Sequence, residues 1–140
     1  RNPVARAAAD VRLMAGDPYS PLVRKLFAAP AHAAPTAGKP PHGASVFLEG
    51  QGVAVRLNAH SGAKEGLVLT FRARGCPHFL AACEWLCRRY SGKSLTELGV
   101  FKPAEIMQTL GIPAAKSGRI LMLEDAVRAL DTCFEPDRAP

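Results

Sequence analysis

Four cysteines, at positions 76, 83, 87 and 133, and four histidines, at 32, 42, 60 and 78, are the residues of this sequence best suited to nucleophilic or metal chemistry. Cys76 sits between a glycine and a proline, where a strand-like pattern gives way to a helical one. At such a junction the unpaired amides and the helix dipole favour a thiolate, and Arg72, Arg74 and His78 are close enough in sequence to favour it further. An inert junction thiol is the plainer alternative. Cys76-x-His78 is also a pair that could give a metal two ligands. A tetrahedral site needs four, or three and an open position, and no second pair recurs at comparable spacing. A zinc site using Cys76, His78 and a loop histidine therefore lacks an identifiable last ligand. Cys83 and Cys87 are one helical turn apart inside an apolar stripe, where a thiol behaves as a small hydrophobe. Cys83 lies seven residues beyond Cys76, about 10 Å along a helix axis, too far for both to hold one iron without distortion. His32 and His42 in a proline-rich stretch, and His60 at a strand end, read as solvent-facing polar residues.

The elements that position Cys76 follow from local patterns. Ala5 to Met14 is a candidate short helix, and Ser20-Pro21 opens a better one, with a capping hydroxyl, a proline at the first helical position, and Leu22, Val23, Leu26 and Phe27 at helical spacing. Pro30 to Pro41 has no periodicity and reads as a loop or linker. Three strands follow, Ser45 to Glu49, Val53 to Asn58 and Leu67 to Arg74, joined through Gly50-Gln51-Gly52 and Ser61-Gly62-Ala63-Lys64. From Pro77, the residues Phe79, Leu80, Cys83, Leu86, Cys87 and Tyr90 form one helical stripe that ends at Ser91-Gly92. Ser94 to Leu98 and Pro103 to Leu110 are shorter helical segments, and Leu123, Val127, Leu130 and Phe134 repeat along a last helix from Arg119. The predicted fold is α+β, a small three-stranded antiparallel sheet with helices packed on one face.

At 140 residues, 48% hydrophobic and 21% charged, the composition is that of one soluble globular domain. Such a chain can form a core without disulfides or a structural metal. The longest uncharged stretch, Leu26 to Gly38, is broken by prolines and falls short of the roughly 20 apolar residues of a membrane span. The first fourteen residues carry three arginines and no apolar core, which argues against a secretory signal, and Asp10 and Asp17 argue against a transit peptide. A cytoplasmic protein without disulfides is therefore expected. The net charge is +6, with twelve Lys and Arg against five Asp and Glu before Ser91 and six against seven from there on. No aromatic residues alternate with the basic ones as a base-stacking platform requires. An acidic protein partner, rather than nucleic acid or membrane, is the reading of that charge.

Several segments together resemble a known family. In order they are Tyr19-Ser20-x-x-Val23-x-x-x-Phe27-x-x-Pro30, Phe71-x-x-x-Gly75-Cys76, Ser91-Gly92-Lys93-Ser94-Leu95, Ile112-Pro113-Ala114-Ala115-Lys116 and Leu123-Glu124-Asp125-Ala126-Val127. They resemble the IscU/NifU amino-terminal scaffold family of iron-sulfur cluster assembly over roughly Tyr19 to Phe134. The resemblance implies residues 1–18 as an N-terminal extension and 19–140 as the scaffold-like domain. It implies a non-enzymatic scaffold that receives sulfur from a cysteine desulfurase and holds iron or a [2Fe-2S] cluster with three cysteines and a carboxylate or histidine. Thiolates suit this task as soft ligands that also accept persulfide sulfur.

Placed residue by residue, the family's second cysteine falls on Cys76. The first falls at about Gln51, the aspartate of the same turn at Val53, and the histidine and cysteine of the third site on Gly118-Arg119. The segment that reads Leu-Pro-Pro-Val-Lys in the family, where its chaperone binds, reads Ile112-Pro113-Ala114-Ala115-Lys116 here. The resemblance thus implies a degenerate scaffold, in which Arg119 places a permanent cation near Cys76, favouring a thiolate and repelling iron. Two functions of different class follow. One is sulfur, iron or cluster binding through Cys76, with His78, a second copy of the chain or another assembly protein completing the site. The other is a metal-free interaction module that reuses the scaffold fold.

Overall fold

The structure, a computed structural model, describes residues 19–33, 43–61 and 66–138. The N-terminal extension with its candidate helix at Ala5 to Met14, most of the proline-rich stretch including His42, and residues 62–65 lie outside the described residues.

Helix α1 (Pro21–Ala28) starts where the Ser20 hydroxyl accepts the Val23 amide at 3.2 Å, and the same hydroxyl donates to the Leu110 carbonyl at 2.8 Å. The cap thus ties the first helix to a segment ninety residues away. Strands β1 (Gly43–Gly50), β2 (Val53–Ser61) and β3 (Leu67–Arg74) form an antiparallel sheet in the order β1-β2-β3. Gly50 pairs with Val53, so Gln51 and Gly52 alone make the first turn, with φ of 54° and 77°. Two consecutive left-handed residues match the twist of a two-residue hairpin. β1 and β3 alternate in burial, with Val46, Leu69 and Phe71 toward the core and Phe47 and Arg72 outward, whereas in β2 Ala54 and Asn58, on the face of Arg56, are buried as well as core-facing Val55 and Leu57.

Helix α2 (Pro77–Tyr90) packs on β3, followed by α3 (Leu95–Gly99), α4 (Pro103–Leu110), a 3-10 turn (Ala114–Lys116) and the long α5 (Ser117–Arg138), which crosses β1 and β2. Helix α3 opens on a complete capping box, in which the Ser94 hydroxyl accepts the Glu97 amide and the Glu97 carboxylate accepts the Ser94 amide. Gly111, at φ 67°, ends α4 in the left-handed conformation. Fully buried Phe79, Leu86, Leu98, Leu123 and Leu130 fill the space between helices and sheet, each contributing about 1.5–3 kcal/mol of burial. The fold is the α+β arrangement expected, a three-stranded antiparallel sheet with helices packed against it. Among the described residues no helix is long and apolar enough to cross a membrane.

Candidate functional site

Cys76 is the N-cap of α2 and is half-buried. Gly75 brings the chain from β3 into the helix at φ 148°, and an added Cβ there would meet the Val53 side chain at 2.5 Å. Only glycine fits this turn without displacing β2. The Cys76 sulfur accepts from Arg119 Nη1 at 3.0 Å. The Phe79 amide donates to the Cys76 carbonyl at 3.0 Å, and the sulfur itself closes no capping hydrogen bond. Burial pushes the Cys76 thiol up, but the positive end of the Phe79 amide dipole at the helix start, the Arg119 guanidinium and the Lys116 charge outweigh it and hold the pKa below the ordinary thiol range. The lowering charges come from the 3-10 turn and α5. Arg72 and Arg74, the neighbours expected to supply them, lie exposed on the outer face of the sheet, with Arg74 ion-paired to Glu49.

His78 is buried at the same end of α2. Its Nδ1 lies 2.8 Å from Lys116 Nζ, its ring packs 4.7 Å from the Tyr19 ring, and the Lys116 ammonium sits 5.5 Å from the centre of Tyr19. An ammonium has only protons to give, so Nδ1 accepts and the ring proton is on Nε2. Cys76 and His78 therefore each face a cation, Arg119 and Lys116 respectively. Among the described residues no three His, Cys, Asp or Glu side chains are grouped so as to hold a metal ion.

The three segments that the resemblance marks as ligand-bearing come together. A Cβ added at Gly118 would meet Gln51 Oε1 at 3.1 Å, so the first turn of the sheet abuts the start of α5, and the next residue, Arg119, reaches Cys76. Gln51 and Arg119, the positions where the resemblance expects the first and third cysteines, carry an amide and a guanidinium. Val53, where the resemblance expects an aspartate, is buried in the core.

The remaining candidates are elsewhere. Cys83 and Cys87 are fully buried among apolar side chains, and burial pushes both thiols up. Cys133 is exposed on α5, and all four cysteines are free. His60 is half-buried at the end of β2. His32 departs from its expected place in solvent. Its amide donates to Glu84 Oε1 at 2.8 Å, and its Nδ1 lies 2.7 Å from Glu84 Oε2. Arg88 Nε meets the same oxygen at 2.7 Å while Arg88 Nη2 donates to the Ala29 carbonyl at 3.2 Å. Glu84, fully buried on α2, thereby clamps the chain after α1 onto the helix. Burial raises its pKa, but Arg88 and His32 outweigh that and hold the carboxyl below its ordinary range. Sequence reasoning missed this cluster. Glu84 and Arg88 stand at i,i+4, the only local signal of it.

No family model matches the chain, and comparison with curated proteins brings no match.

Proposed function

We propose that this protein is a scaffold-like component of iron-sulfur cluster assembly in which Cys76 accepts sulfur from a cysteine desulfurase. The observation that carries this reading is the 3.0 Å contact between Arg119 and the Cys76 sulfur at the N-terminus of α2. A thiolate so held is a nucleophile. It would attack the terminal sulfur of a desulfurase persulfide, forming a new S–S bond to Cys76 as the donor's S–S bond breaks and the donor cysteine leaves as a thiolate. The negative charge left on the terminal sulfur would lie near Arg119 and Lys116. The convergence of Gln51, Gly118-Arg119 and Cys76 supports the IscU/NifU-like placement.

A [2Fe-2S] cluster held by this chain alone does not fit these residues, because both candidate ligands, Cys76 and His78, face cations. Iron or cluster binding would draw its other ligands from a second copy of the chain or from an assembly partner. The chemistry needs reduced thiols, and the role proposed is a cytoplasmic one, where thiols are kept reduced. The cation contacts equally favour a second reading, a metal-free interaction module.

The deciding experiment incubates the protein with a cysteine desulfurase and free cysteine, then locates added sulfur by mass spectrometry of peptides. One sulfur atom on Cys76, absent in Cys76→Ser, is the expected result. A wild type that gains no sulfur on Cys76 would overturn sulfur acceptance and leave the interaction module.

A further inference from the structure

Three elements bring a nucleophile and two cations to the start of α2. Cys76 is the N-cap of that helix. Arg119, in the first turn of α5, places Nη1 3.0 Å from the Cys76 sulfur. Lys116, three residues earlier at the end of the 3-10 turn, is anchored by His78 Nδ1, 2.8 Å from its Nζ, and by the Tyr19 ring, whose centre is 5.5 Å away. Its charge acts on the Cys76 sulfur together with that of Arg119. Cys76, Lys116 and Arg119 are all partly exposed, so a small solute reaches them from solvent.

Both anchors of Lys116 are without negative charge, an accepting ring nitrogen and an aromatic face. A thiolate at Cys76 therefore faces two cations, and the three groups together keep a net positive charge. That balance suits an anion. Arg119 adds shape to it. One N–H of its fork is on the sulfur, and a guanidinium carries others in the same plane, the arrangement that grips paired oxygens of an oxyanion. An anion that offers oxygens to Arg119 and an electrophilic sulfur to Cys76 matches both.

We propose that this site takes sulfur directly from small thiosulfonate-type anions, thiosulfate being the simplest, with Cys76 as nucleophile and Arg119 and Lys116 holding the sulfonate. The inference rests on the reading of Cys76 as a sulfur acceptor and adds a class of donor to it. The Cys76 thiolate forms a new S–S bond to the outer sulfur of thiosulfate as the bond from that sulfur to the sulfonate breaks, and the electron pair leaves with sulfite. A thiolate and a dianion thus give a persulfide anion and a dianion. No proton, oxidant or reductant enters. The obstacle is the repulsion between a thiolate and a dianion, and fixed cations beside the sulfur offset it. A unit charge about 4 Å from another in water is worth about fivefold in rate.

Two measurements on the full chain, with Cys133→Ser as parent, test this. In the first, the protein is incubated with thiosulfate or, separately, with a cysteine desulfurase and free cysteine. Peptide mass mapping locates added sulfur, and released sulfite is counted. Thiosulfate should add one sulfur to Cys76 for each sulfite released, at a rate that falls about fivefold or more in Arg119→Met and is partly restored in Arg119→Lys, which keeps the charge. In the second, Cys76 is alkylated with iodoacetate and with iodoacetamide. Both react with the same thiolate, so their rate ratio reports selection for an anion and not the thiolate fraction. The ratio in the parent should exceed that of N-acetylcysteinamide by about fivefold or more and fall toward it in Arg119→Met. The parent alone supplies this comparison, so it stands even if a variant fails to fold. Sulfur gained from thiosulfate and not from the desulfurase would support the inference and remove the desulfurase as donor. Sulfur gained from the desulfurase and not from thiosulfate would overturn the inference and leave Cys76 a sulfur acceptor. Sulfur gained from neither, or an iodoacetate preference no greater than that of N-acetylcysteinamide, would also overturn it.

Discussion

Helix α2 and its N-cap carry three cysteines, and the cap and the middle of the helix treat them in opposite ways. Cys76, at the cap, accepts a guanidinium hydrogen bond and has its pKa lowered. Cys83 and Cys87, two and three turns further on, are sealed among apolar side chains that raise theirs. The middle of the helix does contain a charge, Glu84, but both its oxygens are taken by His32 and Arg88. A charge with fixed partners on every side holds two segments together. A sulfur with one cationic partner at a half-exposed helix end is placed to react. The difference is one of position, since the residue type is the same.

The largest effect expected from this contrast is in thiol modification. In a Cys133→Ser background, native protein should react with iodoacetamide at Cys76 alone, with Cys83 and Cys87 slower by a factor on the order of 10³ or more, because they react only through unfolding. Peptide mass mapping against denatured protein checks this, and comparable rates at the three positions would break the comparison.

Arg88→Met should destabilise the fold by about 3 kcal/mol, since it leaves a buried carboxylate with one partner fewer. Urea unfolding measures it. The folded pKa of Glu84 lies below its unfolded value, so its contribution is complete above the unfolded carboxylate pKa of about 4.3. It disappears as pH falls through the folded pKa. The stability difference between wild type and Glu84→Gln should therefore shrink on acidification, and one that grew would contradict the clamp.

Cys87→Ser, which puts a hydroxyl among apolar neighbours, should cost about 1–3 kcal/mol. Cys76→Ser at the helix cap should cost less, because serine caps helices well. The smallest effect is expected from Arg119→Met, within about 0.5 kcal/mol of wild type in stability, while the reactivity of Cys76 falls. A large stability loss there would make Arg119 a structural residue.

Much of this arrangement was legible locally. Ser20, Pro77, Ser94 and Pro103 mark helix starts within a residue, because caps and first-turn prolines act through their nearest amides. The expected strands fall inside the observed ones; β1 begins at Gly43 since pairing with His60 carries it back. Helix α5 starts at Ser117, ahead of the expected Arg119, since the Ala114–Lys116 turn runs directly into it. Arg119 was expected near Cys76 only through the family resemblance, and it lies 3.0 Å from the sulfur. The Glu84 clamp did not follow, for His32 and Glu84 are 52 residues apart and neither is marked by its neighbours. Lys116 was quoted only as part of a motif, and its approach to His78 depends on the turn before α5.

The central claim is that Arg119 lowers the Cys76 pKa and so favours its thiolate, at a place where the resemblance expects a set of metal ligands. The most direct test is the pH dependence of Cys76 alkylation, followed with Cys133→Ser as the parent and compared with Arg119→Met. The parent should react with a midpoint below that of free cysteine, about 8.5, and the variant should have its midpoint moved up. Identical profiles, or a parent midpoint at or above that of free cysteine, would contradict the account.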